Sequence, residues 1–334
     1  MKTEIINWLR EKKDFVSGQE LCDHFGVSRT AVWKTINQLK KEGYEIEAVP
    51  NRGYRLLDAE DVFGAEEIKS YLTTKWVARS LDFYKETAST NILAKQAAED
   101  GLADGTLIVA DMQTAGRGRR GRSWNSPAGT NIYFTLMLRP KLAPGKASML
   151  TIVMAHAVTR AINELTGLSC AIKWPNDVVH NGRKMVGILT EMSAEQDYIH
   201  HVVIGVGINV REQVFAPEIA DKACCIDREW GRKISRSRLL AQIMNAFEED
   251  YEIFMRDGDL SGLQESYNDM LVNRDRIVCI LSSRPDEEGR QAEEFRGTAL
   301  GIDKEGELLV RREDGSVEKV FAGEVSVRGV YGYV

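Results

Sequence analysis

Apolar residues recur at helical spacing through the first forty positions of the chain. Ile5, Ile6 and Leu9 outline one amphipathic helix, and Leu21, Cys22 and Phe25 outline a second that follows Ser17-Gly18 and stops at Gly26. A third begins at once. Ser28 is placed to cap it, Val32, Ile36 and Leu39 recur at i, i+4 and i+7, and Gly43 offers a left-handed end. Two short helices joined at a glycine predict a helix-turn-helix. The polar side of the third helix carries Ser28, Arg29, Thr30, Trp33, Lys34 and Asn37, and positions 28–41 hold four basic residues and no acid. Tyr44 to Leu56 then reads as two short strands around Pro50-Asn51-Arg52-Gly53, a wing whose Arg52 and Arg55 are placed to straddle a phosphate backbone.

Glu60 to Lys69 reads as a connector, after which helices and strands alternate. Thr87-Ala88-Ser89-Thr90-Asn91 supplies cap-type residues before a helix over Ile92 to Asp100, and Ala147 to Leu165 is a long helix ended by Gly167. Strands are predicted at Thr106–Gln113, Asn131–Leu138, Ala171–Trp174 and Tyr198–Val210. Asn181-Gly182, between Val178-Val179 and Met185–Leu189, is a strong hairpin signal and places Lys184 just beyond a tight turn. Two further helices lie near Arg236–Met255 and Leu260–Met270. After Asn273 the helical period gives way to five short alternating runs separated by polar and glycine turns, which predicts a small all-β barrel. The chain is thus an α/β multidomain protein, divided at 1–63, 64–272 and 273–334.

Composition narrows the function. The 43% hydrophobic and 28% charged content is that of a soluble globular protein, and 44 basic against 50 acidic residues give a net charge of −6. Any contact with DNA must therefore rest on local charge. Positions 1–13 mix six charged residues with apolar ones, which excludes a signal-peptide core, and no apolar run approaches the ~20 residues of a membrane span. A cytoplasmic protein without a membrane role is expected. Five cysteines (Cys22, Cys170, Cys224, Cys225, Cys279) lack any C-x-x-C pair and five histidines are scattered, so neither a disulfide framework nor a protein-held metal is predicted.

The chemistry concentrates in Gly116-Arg117-Gly118-Arg119-Arg120-Gly121-Arg122-Ser123-Trp124, which follows a predicted strand. Glycines let the main chain approach a ligand closely, and arginine forks neutralise phosphate or carboxylate, so the loop is built to hold an anion. Two familiar nucleotide signatures fail. Pro144-Gly145-Lys146-Ala147 has Pro140 where a P-loop needs glycine and Ala147 where it needs a hydroxyl, and Gly205-Val206-Gly207-Ile208-Asn209-Val210 lacks the third glycine of a dinucleotide fold.

Taken together, Ser89-Thr90-Asn91, Gln113, Gly116 to Trp124, Lys173-Trp174-Pro175-Asn176-Asp177, Gly182 to Leu189 and Gly205 to Asn209 resemble the biotin protein ligases, specifically the bifunctional bacterial type that doubles as a biotin operon repressor. The winged N-terminus and β C-terminus extend the resemblance to nearly the whole chain. It implies a class II synthetase-like central domain and an SH3-like C-terminal barrel. It also implies condensation of biotin with ATP, Mg²⁺ arriving with the nucleotide, and transfer of biotin to a lysine of a carboxylase carrier domain.

In that comparison Ser89, Thr90, Asn91 and Gln113 satisfy the ureido end of biotin, because a buried urea requires donors and acceptors. Arg117, Gly118 and Arg119 cover the carboxylate and α-phosphate, Lys184 meets the carboxylate or bridging oxygen, and Trp124 walls the pocket. Lys184 and Arg119 are the catalytic candidates; no enzyme nucleophile and no protein metal ligand is implied. Arg122, Lys173, Asn176, Asp177 and Arg328 are candidates for phosphate or ATP. Lys173 and Asp177 either orient Lys184 or a metal-bound phosphate, or form a structural salt bridge. The family orders a loop over adenine in the region 211–233, where Trp230 is either a base-stacking residue or an ordinary loop tryptophan. The implied partners are the carrier domain, operator DNA through Ser28, Arg29, Thr30, Trp33, Lys34, Asn37 and Arg52, and a second copy of the chain, its dimer promoted by biotinyl-AMP. The competing readings are a lipoate ligase and a non-catalytic, carboxylate-sensing transcription factor.

Overall fold

The computed structural model describes residues 1–57, 61–285, 291–321 and 325–329, with backbone alone at 282–285, 291–294, 325–326 and 328–329. The chain separates into two compact units, Met1–Thr73 with Ile234–Gln242, and Thr74–Lys233 with Ile243–Val334.

The first unit contains α1 (Lys2–Lys12), α2 (Gly18–Phe25), α3 (Arg29–Lys41), the hairpin β1 (Ile46–Val49) and β2 (Gly53–Leu56), and α4 (Ala65–Tyr71). The stripe read from the sequence forms its core: Ile5, Ile6, Leu9, Leu21, Val32, Ile36 and Leu39 are all buried together. Ser17 and Ser28 cap α2 and α3 by accepting from the amides of Glu20 and Ala31, and Gly26 ends α2 at a φ of 65°. Within the connector read at 60–69, residues 65–69 belong to α4. Ile68 and Glu67 of α4 are buried, and the Glu67 carboxylate accepts from Arg10 at 2.7 Å and from the Tyr44 hydroxyl at 2.9 Å. A seven-residue helix is too short to display a 3.6 period, which is why the pattern did not reveal it.

The second unit is built on a seven-stranded sheet. Its elements are β3 (Leu81–Thr87), α5 (Thr90–Glu99), β4 (Leu107–Gln113), β5 (Ile132–Leu138), α6 (Met149–Thr166), β6 (Ala171–Lys173), β7 (Asp177–His180), β8 (Arg183–Ala194), β9 (Ile199–Ile208) and α7 (Ile226–Trp230). Helix α8 (Arg236–Asp257) begins in the first unit, and α9 (Gln264–Met270) follows it. The strand order is β3-β4-β5-β9-β8-β7-β6. Only β3 and β4 pair in parallel; the other neighbours are antiparallel. β3 was not anticipated. It is an edge strand whose middle residues are largely exposed, so backbone pairing rather than apolar alternation defines it. On one face of the sheet Ala94 and Ala98 of α5 pack on Ile108, Met137 and Val203.

The C-terminal strands β10 (Ile277–Pro285), β11 (Gln291–Ile302), β12 (Leu308–Arg311), β13 (Val317–Val320) and β14 (Val325–Gly329) form an antiparallel sheet ordered β13-β12-β11-β10-β14. The fully buried Trp174 ties it to the central sheet, its indole Nε1 donating to the Gly306 carbonyl at 3.1 Å.

Candidate functional site

Register assembles the floor of the site. Antiparallel pairing aligns Tyr133, Gly207 and Gly187 in one row and Thr135, Gly205 and Leu189 in the next. The three glycines of β8 and β9 are therefore neighbours on one face of the sheet. A Cβ on Gly207 would lie 2.5 Å from Trp124 Nε1 and Cε2, one on Gly187 would lie 2.8 Å from Trp124 Cζ3, and one on Gly205 would overlap the Asn91 amide. The glycines thus let an indole and a buried amide rest on the sheet itself.

The glycine-arginine loop returns on itself before delivering Trp124. Trp124 N–H donates to the Gly116 carbonyl at 2.9 Å, and Gln113 N–H donates to the Ser126 carbonyl at 3.1 Å. Arg120 and Gly121 take left-handed conformations, φ 57° and 70°, to make the turn. Gly118 N–H donates to the Arg122 carbonyl at 2.7 Å, so in this conformation that amide serves the loop itself and positive charge comes from the arginine side chains. The guanidinium of Arg119 donates to Asn176 Oδ1 at 2.8 Å. Burial, and after it the neighbouring Arg120, push its pKa down against the pull of Asp177. A desolvated cation of this kind attracts an anion strongly.

At the polar end, Ser89 is the cap residue of α5, with Thr90 and Asn91 in its first turn, and all three are buried. Gln113 Oε1 accepts from the Thr90 amide at 2.9 Å while Gln113 Nε2 donates to Ser126 Oγ at 3.0 Å. The Asn91 amide donates to Glu191 Oε2 at 2.8 Å and accepts from the Thr135 hydroxyl at 2.6 Å. Beyond the indole, Lys184 Nζ lies 5.3 Å from the Trp124 ring centroid and 2.6 Å from Asp177 Oδ1. Asp177 also accepts from Asn176 Nδ2 at 3.2 Å. Asp177 therefore touches Lys184 directly, and Lys173 is its register partner across the β6–β7 hairpin.

These groups share one cavity of about 840 Å³, within the usual size of a small-molecule site. Ser89, Thr90, Asn91, Gln113 and Trp124 line it, as do Arg117, Gly118, Arg119, Arg122, Lys173, Asn176, Asp177 and Lys184. Arg328 stands in β14 opposite Cys279, but its side chain lies outside the described residues; its neighbour Val327 lines the cavity. From the 211–233 region the lining side chains include Gln213, Phe215 and Ile219. Trp230 sits in α7 beneath Arg232, whose guanidinium carbon is 5.8 Å from its ring, and is not among the lining residues. Sequence reasoning singled out the aromatic residue with the largest face and passed over Phe215, because only pairing of Lys184 with Ala223 brings this loop across the cavity.

In the N-terminal unit Ser28, Arg29, Thr30, Trp33 and Lys34 are exposed on α3 and Asn37 is half-buried. Trp33 is 58% exposed, and Arg29 reaches Gln19 of α2 at 2.8 Å. Arg52 and Arg55 both lie over the Phe15 ring, at 4.2 and 4.7 Å, and Arg55 pairs with Glu47 at 2.6 Å. The two wing arginines thus cover one aromatic ring, and Arg55 shares its charge with Glu47 across the hairpin.

Family models match three successive segments: an HTH domain at residues 2–55, the biotin/lipoate A/B protein ligase family at 82–209, and a biotin protein ligase C-terminal domain at 289–328. The bifunctional ligase/repressor BirA of Bacillus subtilis is 39% identical over 318 residues, covering 94% of each chain. The chain belongs to the bifunctional ligase/repressor family of biotin protein ligases. Its Escherichia coli relative of the same name is 30% identical over 317 residues, again with 94% of each chain covered. Among solved structures, the Aquifex aeolicus biotin protein ligase in complex with biotin and ATP superposes with a TM-score of 0.65 at 28% identity, covering 75% of this chain and 99% of that one. This ligase/repressor thus carries an N-terminal HTH segment in addition to the ligase segment.

Proposed function

We propose that the protein condenses biotin with ATP to form biotinyl-AMP and pyrophosphate, transfers the biotinyl group to a carrier-domain lysine of a carboxylase, and represses biotin-synthesis genes when its adenylate is retained. The observation that carries the reading is the order of groups along β9. Donors and acceptors gather over Gly205, the indole covers Gly207, and Lys184 and the loop arginines follow. Two residues along a strand span about 7 Å, so a ligand with a polar ring at one end and a carboxylate at the other fits this sequence of surfaces.

In the first step a biotin carboxylate oxygen attacks the α-phosphorus and pyrophosphate departs. In the second the carrier's amine attacks the acyl carbon and AMP departs, the amine losing its proton to water. Neither step requires a covalent enzyme intermediate. Lys184, held by Asp177, and Arg119, held by Asn176, are assigned to the charge that develops on the carboxylate and α-phosphate oxygens. Ser89, Thr90 and Gln113 are assigned to the ring of biotin, with Arg117, Gly118 and Trp124 along its chain. Arg122, Lys173 and Arg328 are assigned to the phosphates. Mg²⁺ enters with ATP as its counter-ion.

DNA contact is assigned to Ser28, Arg29, Thr30, Trp33, Lys34, Asn37 and Arg52, within a module spanning 1–63; ligation is assigned to 64–272, supported by 273–334. A two-fold dimer suits a palindromic operator, and adenylate that orders the arginine loop would strengthen that dimer by linkage. No helix among the described residues is long and apolar enough to cross a membrane, which accords with a cytoplasmic setting. Exchange of labelled pyrophosphate into ATP tests the reading. Biotin-dependent exchange supports it, lipoate-dependent exchange transfers the assignment to the other acid, and exchange with neither refutes catalysis.

A further inference from the structure

Glu191 stands on β8 one row beyond the glycine floor, opposite Val203, and so faces α5. Asn91 and Lys95, one turn apart on that helix, both reach it: Asn91 Nδ2 donates to Oε2 at 2.8 Å and Lys95 Nζ meets Oε1 at 2.6 Å. We propose that Glu191 is a positioning residue for the ligand's polar ring, acting through Asn91, Thr135 and Thr90 rather than by contact. The inference rests on the ligase reading of the cavity and extends it.

An ionised carboxylate accepts hydrogen bonds and cannot donate them. Facing one, Asn91 must present its amino group, whose second hydrogen goes to the Leu189 carbonyl at 3.3 Å. Its Oδ1 is thereby turned to Thr135, which gives up its only proton at 2.6 Å. The oxygen of Thr135, having donated, accepts from Thr90 Oγ1 at 2.8 Å; the other use of that proton, toward Gln113 Oε1, is longer at 3.2 Å. Thr90 then shows the cavity lone pairs. Gln113, its Oε1 held by the Thr90 amide, keeps one amide hydrogen beyond the bond to Ser126. The polar end therefore offers an acceptor and a donor of fixed identity, complementary to the N–H and C=O of a cyclic urea. Burial raises the Glu191 pKa, but hydrogen bonds from Lys95 and Asn91, with the charges of Lys95 and Arg117, outweigh it and hold the group below the usual carboxylate range.

The test compares pyrophosphate exchange driven by biotin with exchange driven by the cyclic-guanidine analogue, in which the ring carbonyl oxygen is replaced by an imino nitrogen. Because a single misdirected hydrogen bond is worth about tenfold in affinity, Glu191→Gln should raise the KM for biotin about tenfold. It should shrink the preference for biotin over the analogue by a similar factor, while the KM for ATP and kcat stay within about twofold. Glu191→Asp, still an obligate acceptor, should restore most of the preference. Thr135→Val, which removes the relay hydroxyl between Asn91 and Thr90, should move the preference in the same direction and serves where Glu191→Gln does not fold. An unchanged preference in these variants, or a KM for ATP that rises in step with that for biotin, overturns the proposal. Wild-type protein without biotin-dependent exchange overturns the ligase reading and this proposal together, whereas normal wild-type exchange with unaltered variants overturns the proposal alone.

Discussion

Replacing Gly207 with alanine separates the requirements of the site from those of the fold. The added Cβ would stand 2.5 Å from Trp124 Nε1 and Cε2 and 3.0 Å from Cζ2. Ordinary carbon contacts lie at about 3.5–4.0 Å, so the indole must retreat by about 1 Å. It retreats into the cavity rather than into packed core, because Trp124 is itself a lining residue. The strand tolerates the change: Gly207 has no positive φ, and glycine inside a strand costs roughly 0.5–1 kcal/mol relative to alanine. Stability is therefore expected to hold or rise slightly. Catalysis is not, since a displacement of about 1 Å in a positioned site costs on the order of 100-fold, or about 2.8 kcal/mol of transition-state stabilisation. Thermal unfolding measured beside biotin-dependent pyrophosphate exchange gives both quantities on one preparation. A variant with wild-type kcat/KM for biotin, or one that loses activity only as it loses folded protein, would refute the reasoning.

Removing the Lys184 ammonium by Lys184→Ala should lower the exchange rate at least about 100-fold while far-UV circular dichroism and the folded fraction stay near wild type; wild-type turnover would strike this residue from the site. Arg29→Ala and Lys34→Ala should weaken operator binding and reduce the slope of log affinity against log salt by roughly one per lost phosphate contact, with ligation unaltered in a carrier-labelling assay. Sedimentation with and without biotin and ATP should reveal stronger self-association when both are present, and an unchanged constant would sink the linkage between adenylate and operator. Glu191, with its folded-state pKa below the ordinary 4.5, contributes stability that is present above that value and lost as pH falls through the lowered one. The difference in unfolding temperature between wild type and Glu191→Gln should accordingly be constant near neutrality and shrink in acid; a gap that widens below pH 4.5 would contradict the sign.

Local pattern carried much of this protein. Amphipathic stripes, cap residues and glycine stops placed α1 to α3 within a few residues, and the Asn181-Gly182 turn located the hairpin that presents Lys184. These features depend on neighbours three or four positions away, so the chain declares them without help. The Gly-Arg loop stood out for the same reason, its composition marking it, and its Arg117, Arg119 and Arg122 line the cavity. Elements that borrow their stability from elsewhere left no such trace: α4 rests on Arg10 and Tyr44 through Glu67, and β3 on backbone pairing with β4.

Which side chains converge was likewise settled only by the tertiary structure. Gly187 and Gly207 are twenty positions apart yet adjacent under one indole, because antiparallel register aligns them. Asp177 holds Lys184, Asn176 holds Arg119, and Phe215 replaces Trp230 over the cavity by the same kind of long-range pairing. Composition and periodicity determine what a segment is able to become; a pocket exists only once distant segments share a sheet, since its distances belong to no single stretch of chain.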